Sequence, residues 1–207
     1  MKKWERVMKV LAEKENSKLT EEQKQSKISE KLFLFIALFT AARSGNILAM
    51  RWDEISLSEK IWCIPKTKSK NAKTLYIGLA DKLIEVLQNR KLCSNSEWVL
   101  PSSRGNSKHI PYSTMQRAWA KIRKKAGIQN VTIHDLRRTF ATWMKNNGET
   151  LDTISQILGH SNTNMTKIYT IHSLDKATIA TNKVVENMLS IFGPNVCLNK
   201  ILSGIVP

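Results

Sequence analysis

Cysteine is scarce in this sequence. The 207 residues hold 3, at positions 63, 93 and 197. An odd number at wide spacing argues against a disulfide framework and offers no zinc-binding pair. Long apolar runs are also missing. The longest, Leu32 to Phe39, falls far short of the roughly 20 residues that cross a bilayer. It reads as a buried helix, and no membrane partner is expected. No secretory signal is visible, so the expected location is the cytoplasm. Acidic residues are few, 17 against 33 Lys and Arg, and no paired-carboxylate site stands out to hold a catalytic metal.

The excess of cations gives a formal net charge of +16. That is a statement about partners rather than fold. Nucleic acid is the favoured partner, ahead of an anionic membrane surface. The basic residues are spread along the chain instead of gathered in a tail, which suits a folded, DNA-gripping surface. The length allows one good-sized domain, or one domain with a small attachment.

Helical patterning dominates. Trp4, Val7, Met8 and Leu11 mark an amphipathic helix over about residues 1–14. Residues 15–31 are rich in Lys, Glu, Gln and Ser and read as a linker or a weakly specified exposed helix. Residues 32–42 form an apolar helix buried nearly all round, with Arg43 at its end. The β signal is confined to residues 53–79. There, residues 61–65 and 74–79 form a hairpin with a basic tip carrying Lys66, Lys68, Lys70 and Lys73. A helix follows over 80–91, then a short buried piece at 98–101. Ser113 is the expected cap of a helix running to about Ala126. One face of that helix holds Met115, Ala118, Trp119 and Ile122. The other holds Arg117, Lys121, Arg123, Lys124 and Lys125, a surface suited to phosphates. A last helix covers about 172–192, and residues 193–207 have no clear assignment.

Residues 132–169 concentrate the chemistry. Thr132 is a candidate N-cap, with Asp135 as an acidic variant of the capping box. His134 and Arg137 lie one turn apart on a common helix face. Leu136, Phe140, Trp143 and Met144 form the apolar stripe, and Asn147-Gly148 stops the helix. A second short helix buries Leu151, Ile154, Ile157 and Leu158. His160 follows Gly159, and Tyr169 comes after it. Taken singly, each of these polar residues has an ordinary explanation as a cap, a hydrogen-bonding group or packing. The set does not.

HDLRRTFAT, then LGHS, then Tyr169, resembles the second conserved box of the tyrosine recombinases, the phage integrase family. The upstream half is present as well. Residues 40–52, TAARSGNILAMRW, match that family's T-G-x-R-x-G-E pattern ahead of an L-x-W segment. There are two departures: Ala41 stands where Gly is usual, and Asn46 stands where the family carries a supporting acidic residue.

The resemblance implies an α+β, mainly helical catalytic domain with a small antiparallel sheet. It implies six catalytic residues: Arg43, Lys70, His134, Arg137, His160 and Tyr169. Lys70 is preferred by its register with Ile77-Gly78-Leu79, and Lys68 is the second candidate. Lys68, Arg117, Lys121 and Arg138 are expected to contact DNA. Tyr169 would attack the scissile phosphate, and Arg43 and Arg137 would grip its non-bridging oxygens, with a hydrogen bond from His160. Lys70 would protonate the leaving 5′-oxygen, and His134 would take or relay the nucleophile's proton. The bond energy stays in the phosphotyrosine, so no metal, cofactor or ATP is required.

The implied partners are double-stranded DNA, three further copies of the chain during synapsis, and accessory DNA-bending proteins. The implied setting is a bacterium or phage, with the protein on the nucleoid when bound. The resemblance covers about 32–190, and the catalytic domain is read as 32–192. Residues 1–31 are then a remnant ahead of the catalytic domain, in place of the family's N-terminal helical DNA-binding domain, and 193–207 form a tail. Three rival readings stand beside this one. They are a helix-turn-helix binding module built on ISQILGHSNTNMTKIYT, a DNA-binding remnant without activity, and a type IB topoisomerase-like activity that reseals the same strand.

Overall fold

The computed structural model describes residues 2–13, 19–69, 72–102, 108–158 and 171–191. Among them the chain runs α1 (Lys2–Ala12), α2 (Glu21–Thr40), α3 (Ser44–Leu48), β1 (Ile55–Ser56), β2 (Ile61–Ile64), β3 (Leu75–Gly78), α4 (Asp81–Leu92), α5 (Tyr112–Lys125), α6 (His134–Asn146), α7 (Leu151–Leu158) and α8 (Ile171–Ile191). The expected architecture, mainly helical with a small antiparallel sheet, is what the chain adopts. None of the described helices is long and apolar enough to cross a membrane.

α2 is the central element. It packs against α3, α4, α6 and α8, and every residue from Leu32 to Thr40 is buried. Its polar first half is helical and exposed at its start, the second of the two alternatives expected there, and a cap specifies it. Thr20 accepts from the Gln23 N–H at 3.3 Å, and Gln23 accepts from the Thr20 N–H at 3.1 Å, a complete capping box. The helix therefore runs unbroken through the boundary expected at residues 31 and 32. α1 joins the same core through Val7, Met8 and Leu11, and Trp4 stacks on Trp119 of α5 at 6.3 Å.

The sheet has the order β1-β2-β3, all antiparallel. Trp62 pairs with Ile77 and Ile64 with Leu75, and Trp62, Ile64 and Ile77 are buried, as strand alternation requires. The hairpin was legible in the sequence. β1 was not, because its two residues are too short to show alternation. α8 packs onto β3 at Gly78, where an added Cβ would lie 2.2 Å from Thr178 Oγ1 and 3.2 Å from Thr178 Cα.

Three local expectations need correction. Pro111, not Ser113, is the N-cap of α5, and Ser113 lies within the first turn. Proline's fixed φ and missing N–H suit a helix entry. Leu151 is 73% exposed. It opens α7 just after Thr150, whose hydroxyl accepts from the Thr153 N–H at 3.2 Å, and only from Ile154 onward does α7 face the core. At α6 the N-cap is Ile133, which makes no side-chain cap bond, and not Thr132. The Thr132 N–H and hydroxyl instead both donate to Asp135 Oδ2, at 2.7 and 2.8 Å, so the carboxylate is the acceptor. At the far end Gly148, with φ +83, closes α6 as expected, and the Glu149 N–H reaches back to the Met144 carbonyl at 3.1 Å.

Gly78→Ala is expected to destabilise the protein by about 1–3 kcal/mol, the usual range for overpacking a tight contact. Adding Thr178→Ala should recover part of the loss, because the nearest clash is with Oγ1. Urea denaturation of both variants checks this, and an unchanged midpoint for Gly78→Ala would refute the close β3–α8 contact.

Candidate active site

Arg43 and Arg137 come from distant parts of the sequence and line one small cleft. Its other walls are Ala42 and Asn46 beside Arg43, Ile64, Leu75, Tyr76 and Ile77 of the sheet, and Ile157 and Leu158 of α7. Arg43 is placed by α3, for which it is the N-cap residue. Arg137 is placed by the first turn of α6. Leu136 and Phe140 on that helix are buried, and this turns the face between them and the surface toward α2 and α7.

The Arg137 guanidinium is held by backbone. One Nη donates to the Ala41 carbonyl at 2.6 Å, across 96 positions of sequence, and the other donates to the carbonyl of Leu158, the last residue of α7. Among the described residues, no carboxylate is paired with it. Burial first, and the neighbouring charge of Arg43 second, push its pKa down to about 10. It is still charged at neutral pH. The strain sits in the local backbone too. Ala41, at the α2 C-cap, is in the left-handed region with φ 52 and is fully buried. Glycine enters this region without a Cβ penalty, whereas alanine does so at a cost of about 1 kcal/mol. The conformation ends α2 and turns the Ala41 carbonyl to Arg137. Asn46 is buried in the same wall and brings no charge to offset the two cations.

The other expected site residues divide into three groups. His134 is described: it begins α6 and is exposed. Lys70, His160 and Tyr169 lie outside the described residues. Of the expected DNA contacts, Arg117, Lys121 and Arg138 are exposed on α5 and α6. Arg117 Nε donates to the Ser113 carbonyl at 3.3 Å, and Arg138 pairs with Asp135 at 3.2 Å. Hydrogen bonds from the Thr132 N–H and hydroxyl, and then the charge of Arg138, hold Asp135 below the usual carboxylate range.

Lys68 is not a free surface cation. It is bonded to Glu54 and to the Ala49 carbonyl, beside the ring of Trp98. No local signal in the sequence marks this cluster, because its bonds span 14 and 19 positions. Among the described residues, no group of three or more His, Cys, Asp or Glu side chains is placed to hold a metal ion.

Two half-buried guanidinium groups thus meet in a narrow cleft whose other walls are mostly apolar, and forked cations of this kind suit an oxyanion. Comparison with known proteins places the whole chain. Residues 9–176 match the phage integrase family, and the chain belongs to that family. It is 27% identical to the integrase of Salmonella phage P22 over 172 residues, covering 77% of this chain and 42% of that protein. Its fold is similar to the lambda integrase catalytic core, with TM-score 0.51 and 22% identity over 72% of this chain and 95% of that one. It is also similar to XerH site-specific recombinase bound to difH substrate in a pre-cleavage complex, with TM-score 0.60 and 20% identity over 92% of this chain and 51% of that one. The chain spans about half the length of the curated relatives it matches.

The depressed pKa of Arg137 has a definite sign. Below pH 10 the folded and unfolded chains both carry the proton, and the folded chain bears the full cost of the buried charge. That cost disappears only as pH rises from about 10 toward the unfolded value. An anion that neutralises the cleft therefore favours the folded state at neutral pH. Sulfate or phosphate is expected to raise the melting temperature above that in chloride of equal ionic strength, by linkage worth about 2.7 kcal/mol at 100 times Kd. Arg43→Gln should remove most of the response. Equal melting temperatures in sulfate and chloride would rule out an anion receptor here.

Proposed function

We propose that this chain is the catalytic part of a site-specific DNA recombinase of a mobile element, which cuts and rejoins DNA strands through a 3′-phosphotyrosyl intermediate. The observation that carries this reading is the convergence of Arg43 and Arg137 on one cleft without a counter-charge among the described residues. Such a pair is uncomfortable in the free protein and is relieved by a phosphate diester. The XerH complex with its DNA substrate and the +16 charge of this chain support double-stranded DNA as the partner.

In this scheme Arg43 presents its planar fork to the non-bridging oxygens of the scissile phosphate, and Arg137, whose two Nη groups also donate to the Ala41 and Leu158 carbonyls, presents its remaining N–H groups. They stabilise the charge that builds up in the in-line transition state. The Tyr169 oxygen attacks phosphorus. The new P–O bond to tyrosine forms as the P–O5′ bond breaks, and the strand leaves with a 5′-hydroxyl. A phenol of ordinary pKa near 10 needs help to lose its proton; His134 takes or relays it, and nearby cations favour the phenolate. The leaving 5′-oxygen receives a proton from a lysine of the β2–β3 hairpin, Lys70 by register and Lys68 as second candidate. His160 adds a hydrogen bond to a phosphate oxygen. Attack by another strand's 5′-hydroxyl reverses the step and completes exchange, with no metal, cofactor or ATP in the balance. Arg117, Lys121 and Arg138, exposed on neighbouring helices, would hold the duplex by its phosphates. Strand exchange between two duplexes calls for four copies of the chain on DNA, with DNA-bending proteins as accessories. The setting would be the cytoplasm of a bacterium or of a phage-infected cell.

The test is a denaturing gel for covalent protein–DNA adducts on supercoiled and nicked DNA, with chelator and without ATP. A metal-independent adduct is expected from the natural chain. Tyr169→Phe should abolish it and leave binding nearly intact. Arg43→Ala should slow it by roughly 10²–10³, the usual cost of removing one transition-state donor. Lys70→Ala should slow cleavage more than Lys68→Ala, and the reverse order would hand the acid role to Lys68. Adduct from Tyr169→Phe would refute the nucleophile. Salt-sensitive DNA binding without adduct would favour the remnant that binds but does not cut. For each phosphate contact removed at Arg117 or Lys121, the log–log salt slope should become shallower by about 0.9.

A further inference from the structure

The cluster at the base of the hairpin is more elaborate than turn packing requires. Glu54 is held at 10% side-chain exposure, and every lone-pair direction it uses is directed. Its Oε2 accepts from the Arg51 N–H at 3.2 Å and from the Trp62 indole N–H at 3.4 Å. Its Oε1 accepts from the Lys68 ammonium. A second Lys68 N–H donates to the Ala49 carbonyl at 2.7 Å. The face of Trp98 lies 5.5 Å from the same nitrogen, and Arg51 covers that ring at 5.1 Å. Trp98 is itself pinned, because the Trp52 N–H donates to the Glu97 carbonyl at 3.1 Å and the Val99 N–H to the Met50 carbonyl at 3.0 Å.

A lysine in a turn normally keeps its hydration and contributes little through any one contact. Lys68 has exchanged hydration for a half-buried ion pair, a backbone acceptor and an aromatic face. The elements it joins are the informative part. Ala49 is the C-cap of α3, and Arg43 is the N-cap of the same helix. Lys68 follows β2, whose Ile64 lines the cleft of Arg43 and Arg137. The ion pair therefore ties the base of the lysine hairpin to the short helix that carries Arg43.

We propose that Glu54 is a positioning residue for strand cleavage, acting through Lys68 to hold the lysine hairpin in fixed register with Arg43. This rests on the recombinase reading above. Glu54 touches no reacting atom. It fixes the approach of the hairpin's proton donor to a phosphate held by the arginines, and transition-state alignment of this kind is sensitive to displacements of an ångström.

Two measurements on the same purified variants test the idea: natural chain, Glu54→Gln, Lys68→Ala and the double variant. Glu54→Gln keeps the size of the side chain and its acceptor to Arg51, and a melting curve confirms its fold. The first measurement is amide hydrogen exchange over the peptide spanning 65–75. Exchange in Glu54→Gln should be at least roughly tenfold faster, as local opening no longer has to break the ion pair. Unchanged exchange overturns the clamp whether or not the chain cuts DNA. The second measurement is single-turnover adduct formation on a nicked duplex at saturating protein. Glu54→Gln should be roughly 10- to 100-fold slower, in line with the cost of misplacing a catalytic group, while its Kd for the duplex stays near that of the natural chain. The double variant should be no slower than Lys68→Ala alone, since both changes break one link. Multiplying losses, or a cleavage rate unaffected by Glu54→Gln, would overturn the proposal. Absence of adduct from the natural chain would instead overturn the recombinase reading, and the cleavage part of the proposal with it, while the exchange result still decides whether the clamp exists.

Discussion

A half-buried guanidinium held by two backbone carbonyls organises the part of this molecule around the cleft. Arg137 reaches from α6 to Ala41 at the end of α2 and to Leu158 at the end of α7. Carbonyl oxygens at helix ends have no partner within the helix and carry the negative end of its dipole, so they are natural acceptors for a buried cation. The bonds are mutual. Arg137 satisfies two helix ends, and those ends fix its fork in one orientation. Moving any of the three helices would leave a partly buried charge or a helix-end carbonyl without its partner, which is costly.

That arrangement is held under tension. Burial and the charge of Arg43 both act against the Arg137 proton, and Asn46 supplies no opposing charge. The left-handed Ala41 adds a backbone cost at the same point. A binding site can use such tension. Groups already oriented have little reorganisation left to make on meeting an anion. The large core around α2 carries the cost, since α2 is buried along the whole of its second half and is contacted by four other helices.

The same division between rigid support and polar apparatus appears on the other side of the cleft. The three-stranded sheet turns Ile64, Leu75 and Ile77 toward the arginines, while its hairpin base is fastened to α3 by Lys68, Glu54 and the Ala49 carbonyl. Close packing of Gly78 on Thr178 seats α8 against the sheet. The cleft thus has one wall of helices and one of strands, each locked by a different physical means: buried charge on one side, an ion pair and tight packing on the other.

Much of this was legible from residues in order. Periodicity marked α1, α4, α5, α6 and α8, because a helix that buries one stripe must repeat its apolar residues at that spacing, and a continuous apolar run marked the second half of α2. The His134–Arg137 pair and the arginine at the end of an apolar run were visible because helix geometry and burial make them unusual locally. Legibility failed where the deciding contact is distant in sequence or where local cues compete. The polar start of α2 looked loose, because two side chains at its cap outweigh its weak periodicity. Ser113 and Pro111 both suit a helix entry, and the path of the chain selected proline. Leu151 has the right spacing but sits one turn too early to reach the core. By itself, then, the sequence determined the family, the mainly helical fold, the basic character and which arginines to watch, since each is written in composition, spacing or a contiguous motif. Only the tertiary structure decided that Arg43 and Arg137 share a cleft, that Arg137 is held by the carbonyls of Ala41 and Leu158, and that Lys68 belongs to Glu54. Those facts depend on groups brought within 3 Å of each other across 14 to 96 positions, and no local pattern records which distant partner a side chain will meet.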